Sequence, residues 1–146
     1  MAPTFSIAHV TPYPWEAEDN ALNAHIGRVA AELSRRGHRV LVVAPSRSQE
    51  RVRASRRELR AARDEPQKLL EGTDRGEPRV IAVGEVLDVA GATRRRPPAL
   101  PIDVARTIEE LLGSVELDFV HVHEPFAPST STTQTRHAPI AWTFSR

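Results

Sequence analysis

The chain has 146 residues and a formal net charge of +1; 40% of its residues are hydrophobic and none is cysteine. This composition is enough for one packed core, too little for two well-developed domains, and excludes a disulfide scaffold or a thiolate metal site. The balanced charge disfavours a dedicated nucleic-acid binder. No apolar run approaches the roughly 18 residues of a membrane span, and the start of the chain has no basic n-region, so we expect a cytoplasmic protein.

Short apolar runs alternate with longer segments of helical period, which is the pattern of βαβ units around a parallel sheet. The near-continuous hydrophobicity of the short runs indicates strands that are covered on both faces. These runs occupy residues 5–10, 39–44, 79–83, 118–122 and 139–144. We therefore predict an α/β fold, a Rossmann-like three-layer sandwich with a mostly parallel sheet, in which residues 1–146 form a single domain.

Three segments of helical period lie between the predicted strands. The first has Asn20 as its predicted N-cap and Gly37 as a left-handed C-cap. Its apolar stripe consists of Leu22, Ile26, Val29, Ala30 and Leu33. Residues 46–63 and 102–112 are also predicted to be helical, and residues 72–78 and 91–101 to be loops.

The predicted helix over residues 46–63 is strongly basic, because seven arginines and two glutamates leave a local charge of +5. Four of the arginines share one face: Arg53, Arg56, Arg57 and Arg60. Anionic lipid headgroups attract such a face by about 1 kcal/mol per arginine. Arg94, Arg95 and Arg96 form a second cluster. The alternatives are an ordinary solvated helix and, less favoured because no aromatic residue lies among the arginines, a nucleic-acid contact.

Polar residues follow the first, fourth and fifth predicted strands, at the edge where parallel sheets bind their ligands. The segment after the first strand contains Tyr13, Asn20, Asn23 and His25. These side chains are suited to recognising polyols and phosphates at a helix N-terminus. Ordinary turn and N-cap chemistry is the alternative.

Two stretches of the chain resemble a known family. Residues 7–45, with Pro-Tyr after the first strand and N-A-L-N-A-H at the first helix, form one stretch, and D-F-V-H-V-H-E-P-F-A-P-S at residues 118–129 forms the other. Together they resemble the N-terminal domain of retaining GT-B glycosyltransferases of family four. Within that family, the phosphatidylinositol mannosyltransferases are the most similar.

The resemblance implies a two-domain enzyme in which this half binds the acceptor and part of the donor diphosphate. It implies that a mannose-like hexose is transferred with retention, from a nucleotide sugar such as GDP-mannose or a UDP-sugar to a lipid-linked or polyol acceptor, without a cofactor. The C-terminal nucleotide-sugar-binding domain is expected to lie outside this chain, and the isolated half to be inactive. If the arginine clusters bind anionic lipid, the enzyme works at the inner face of the membrane.

The resemblance assigns catalysis to His123. It assigns acceptor or donor binding to Tyr13, Asn20, Ala21, Asn23, His25, His121, Glu124 and Ser145. Asn20 and Ala21 stand where the family has Gly-Gly, Asn23 where it has Gln or Glu, and Ser145 where it has His. These departures favour the alternative of a non-catalytic module that binds sugar or nucleotide and has kept the fold.

His121 and His123 alternate with valines in the fourth predicted strand, so both imidazoles are expected on one face near its carboxyl end. A histidine there hydrogen-bonds a sugar hydroxyl or takes its proton, or else binds a neighbouring carbonyl in a structural role. A His-x-His metal pair has no evident third ligand beyond Glu124 or the distant His137, so we expect no metal ion.

Overall fold

The computed structural model describes residues 2–16, 20–85, 102–123 and 140–143. Its strands are β1 (Ser6–Val10), β2 (Arg39–Ser46), β3 (Arg79–Glu85), β4 (Phe119–His123) and β5 (Ile140–Thr143). Its α-helices are α1 (Ala21–Arg35), α2 (Gln49–Ala61) and α3 (Ile102–Ser114), and a short 3₁₀ helix spans Pro66–Leu70. The strands form one sheet in the order β3-β2-β1-β4-β5, and every neighbouring pair is parallel. The predicted α/β fold with a parallel sheet is confirmed.

The start of α2 differs from the prediction. Residue 46 was expected to open the helix, but it is the last residue of β2 and pairs with Glu85 after an irregularity in the register. The helix begins three residues later because the Ser48 hydroxyl accepts a hydrogen bond from the Arg51 N–H at 3.3 Å and acts as the N-cap. The 3₁₀ helix at Pro66–Leu70 was not predicted; a proline in its first turn and two buried leucines at its end place it against the core.

Both ends of α1 are fixed by caps, as the sequence predicted. The Asn20 side chain accepts a hydrogen bond from the Asn23 N–H at 2.9 Å. At the other end Gly37 adopts a φ of +89°, its N–H bonds to the Ser34 carbonyl, and the His38 N–H bonds to the Leu33 carbonyl. This pair of bonds is a Schellman motif. The caps hold the N-terminus of α1 at the carboxyl edge of the sheet.

The sheet has an apolar layer on each face. The larger layer packs strand residues such as Val10 and Val122 against α3 and the 3₁₀ helix, and the smaller packs Val40 and Val42 against Ile26 and Ala30 of α1. Side chains alternate between faces along a strand. His9 therefore lies on the α1 face, since its neighbours Ala8 and Val10 belong to the opposite layer.

The strand order places a topological switch point between β1 and β4. The chain passes from β1 to β2 on one side of the sheet centre, and β4 is hydrogen-bonded to β1 on the other side. The connections leave these two strands in opposite directions, which opens a crevice beyond their carboxyl ends. In such sheets this crevice is the usual place for a ligand.

Candidate functional site

Three histidines lie together where β1 and β4 end. His9 pairs in register with His121, and His123 follows two residues further along β4. The ring centroids are 4.0 Å apart for His121 and His123, 5.4 Å for His9 and His121, and 5.5 Å for His9 and His123. We call these three residues the histidine cluster. The prediction that His121 and His123 share one face is confirmed, and His9 is a member that sequence analysis did not identify.

Two members of the cluster are joined directly. The Nδ1 atom of His9 and the Nε2 atom of His123 are 3.2 Å apart, a hydrogen bond in which the tautomers decide which ring donates. Each of these residues has only 2% of its surface exposed. Their other nitrogens, Nε2 of His9 and Nδ1 of His123, are buried without a hydrogen-bond partner among residues 2–16, 20–85, 102–123 and 140–143. The cluster therefore keeps unused hydrogen-bonding capacity.

Burial keeps these imidazoles neutral. Loss of hydration, and to a smaller extent the positive charges that His121 and His25 would carry, lower the pKa of His9 to about 4. The same causes, with His9 added, lower the pKa of His123 to about 3. Burial and His25 also lower the pKa of His121. Near neutral pH each ring thus offers one N–H donor and one nitrogen lone pair, and the cluster adds no positive charge.

Asn23 organises the loop between β1 and α1 beside the cluster. Its side chain has 4% exposure and accepts a hydrogen bond from the Thr11 hydroxyl at 2.7 Å. Its amide nitrogen donates to the carbonyls of Tyr13 and Pro14 at 3.2 and 2.8 Å. Both amide protons therefore donate to backbone carbonyls of the loop, and the buried Asn23 side chain holds the loop in place.

The structure describes some of the other predicted site residues. Asn20 uses its side-chain oxygen as the N-cap of α1, which agrees with the turn-and-cap alternative. Ala21 and His25 are exposed on the first turns of α1, and Tyr13 is half-buried in the loop. Glu124, Ser145, Arg94, Arg95 and Arg96 lie outside the described residues.

Glu16 connects the same loop to the start of α2, a role that sequence analysis missed. Its carboxylate accepts hydrogen bonds from the Ser46 hydroxyl and from the Arg47 N–H, and it lies 3.5 Å from an Arg51 nitrogen. Burial raises the pKa of this carboxyl, but these two hydrogen bonds, a third from its own backbone N–H and the Arg51 charge outweigh burial and hold the pKa below its usual value. The partners are about 30 residues distant in sequence, so no local pattern identifies them.

The basic face predicted for the second helix is present on α2. Arg53, Arg56, Arg57 and Arg60 are all exposed, while Val52 and Ser55 on the opposite side are buried. The Ser55 hydroxyl accepts a hydrogen bond from the Ala82 N–H at 2.9 Å, which ties this side of α2 to β3. Within the described part of the chain, no helix has the length and apolar character needed to cross a bilayer.

A parallel sheet with polar side chains gathered at its switch point defines a Rossmann-like domain with a candidate ligand site. The family model described as Glycosyltransferase Family 4 matches residues 22–144, and the chain therefore belongs to that family. No curated protein matches the chain. The family membership expected from the sequence is confirmed, and with it a function in glycosyl transfer.

Proposed function

We propose that this chain is the acceptor-side half of a retaining glycosyltransferase that moves a mannose-like hexose from a nucleotide sugar to a polyol or lipid-linked acceptor. One observation carries the proposal: His123 lies buried at the switch point of a family-four domain, in the H-V-H-E-P-F-A-P-S stretch that resembles the mannosyltransferases. The donor, the acceptor and the retention of configuration come from that resemblance.

In this proposal His123 positions the acceptor by hydrogen bonding. A pKa lowered to about 3 makes the ring a weak proton acceptor near neutral pH, which disfavours general-base catalysis. A neutral ring still donates or accepts one hydrogen bond through Nδ1, the atom that has no partner among the described residues. A sugar or polyol hydroxyl is suited to that atom, since a hydroxyl both donates and accepts.

The N-terminus of α1 supplies the second part of the site. Helix N-termini attract anions through their unpaired N–H groups and the helix dipole. Asn20 caps the Asn23 N–H in this first turn, and Ala21 is exposed beside it. We assign this turn to the donor diphosphate. Asn20 and Ala21 stand where the family pattern has two glycines, and their Cβ atoms limit how closely a phosphate approaches the backbone.

The proposal is tested by nucleotide-sugar turnover in the enzyme that contains this domain. We expect His123→Ala to lower kcat/KM by about tenfold, the loss of one hydrogen bond to the acceptor. His38→Gln is the matched control, because His38 lies at the amino edge of the sheet, where its ring accepts a hydrogen bond from the Phe5 N–H. Unchanged turnover in His123→Ala contradicts the assigned role, and sugar binding without turnover of any donor favours the non-catalytic alternative.

The exposed face of α2 is proposed to bind anionic membrane. Replacing Arg53, Arg56, Arg57 and Arg60 by glutamine should lower affinity for vesicles that contain anionic lipid by at least about tenfold, because four arginines at about 1 kcal/mol each contribute up to about 4 kcal/mol, part of which salt screens. Vesicle flotation measures the effect. Arg35→Gln/Arg36→Gln is the control, since it removes exposed arginines from α1 instead. Equal flotation of all variants contradicts the proposal.

A further inference from the structure

We propose that His9, His121 and His123 form a binding site for a divalent transition-metal ion such as Zn²⁺ at the carboxyl edge between β1 and β4. One ring nitrogen of each histidine lies within 4.8 Å of a ring nitrogen of each of the others. Sequence analysis found no convincing third ligand for the His-x-His pair. The fold supplies it from β1, more than a hundred residues away in the chain.

The closest pair of nitrogens already has the spacing of metal ligands. Zinc binds imidazole at about 2.0–2.1 Å in tetrahedral geometry, which places neighbouring ligand atoms about 3.3 Å apart. Nδ1 of His9 and Nε2 of His123 are 3.2 Å apart. The ligand nitrogen of the half-buried His121 lies within 4.8 Å of the other two, so tetrahedral coordination requires its side chain to move closer to them.

The scaffold brings the three histidines together before any ion arrives. His9 and His121 are paired in register on adjacent parallel strands, and His123 lies on the same face of β4. Two of the three rings are buried and keep one unpartnered nitrogen each among the described residues. An ion bound by Nδ1 of His9 and Nε2 of His123 replaces the hydrogen bond between them, and the proton of that bond moves to the other nitrogen of its ring.

The chemistry of the ligands selects the ion. Three imidazoles without a carboxylate favour Zn²⁺, Co²⁺, Ni²⁺ or Cu²⁺ over Mg²⁺ and Ca²⁺, which prefer oxygen. Three protein ligands leave a fourth tetrahedral position for an oxygen of water or of a bound ligand. An ion held by Nε2 of His123 leaves the Nδ1 N–H of that ring available to an acceptor hydroxyl, so the site is compatible with the proposed function and independent of it.

The experiment is a titration of the untagged, metal-stripped chain with Zn²⁺, followed by calorimetry, and with Co²⁺, followed by its visible absorption. We expect one ion per chain, micromolar or tighter affinity, and the intense spectrum of tetrahedral Co²⁺. His9→Ala and His121→Ala should each weaken Zn²⁺ binding by at least about tenfold. His38→Gln should bind like the unaltered chain, and Mg²⁺ should not compete.

The outcomes separate metal binding from sugar transfer and from misfolding. His121→Ala alters the half-buried member, and circular dichroism without metal shows whether each variant is folded. Binding only at millimolar Zn²⁺, or binding that His9→Ala and His121→Ala leave unchanged, overturns the proposal and leaves the 3.2 Å contact as a hydrogen bond alone. If the chain binds an ion but the enzyme that contains it transfers no sugar, the metal site is supported and only the proposed function is contradicted.

Discussion

Replacing Asn23 by leucine should lower the free energy of unfolding by about 3 kcal/mol, because three hydrogen bonds of its side chain are lost. The leucine side chain has the same number and branching of heavy atoms, but it cannot accept from the Thr11 hydroxyl or donate to the carbonyls of Tyr13 and Pro14. Each of these hydrogen bonds contributes about 1 kcal/mol to stability. Urea unfolding followed by circular dichroism measures the loss.

Two further variants show whether the lost hydrogen bonds are the cause. Ala24→Ser changes the exposed neighbour on the same turn of α1 and should alter the free energy of unfolding by less than about 0.5 kcal/mol. Thr11→Val combined with Asn23→Leu removes donor and acceptor together, so the double variant should be more stable than the sum of the single losses predicts. A loss in Asn23→Leu no larger than in Ala24→Ser would contradict the positioning role.

Asn20 and Asn23 show what a sequence pattern reveals and what it leaves open. Asn20 was predicted as an N-cap because its signal is local: a polar side chain immediately before an apolar stripe of helical period. Asn23 is on the same turn, but its partners Thr11, Tyr13 and Pro14 belong to a loop whose path depends on the whole fold. Periodicity placed the residue on the helix and did not indicate that its side chain points inward.

The histidine cluster shows that a strand pattern, like a helix pattern, reveals local geometry and not the neighbours that the fold brings close. Alternation in D-F-V-H-V-H correctly placed His121 and His123 on one face, because that face follows from local geometry. His9 was counted within an apolar run, and its neighbour in space is fixed by the pairing of β1 with β4. A signal was available: the common order of a doubly wound sheet puts the first and fourth strands side by side, which brings His9 next to His121.

The metal-free protein should lose stability as the pH falls from 7 towards 5. Unfolded imidazoles have a pKa of about 6.5, whereas the pKa of His9 is lowered to about 4 and that of His123 to about 3 in the folded protein. Between these values the unfolded chain binds more protons, so the free energy of unfolding decreases with decreasing pH. A ring as deeply buried as His9 contributes about 2 kcal/mol of this loss by pH 5, and His123 adds to it in the same direction.

The slope of the free energy of unfolding against pH identifies the groups that cause this loss of stability. The titratable groups that disfavour a charge on His9 are His121 on β4 and His25 on α1, and for His123 they include His9 as well. Chemical unfolding with a chelator present should therefore give a shallower slope for His9→Asn than for the unaltered chain. Equal slopes in the two proteins would contradict the lowered pKa of His9.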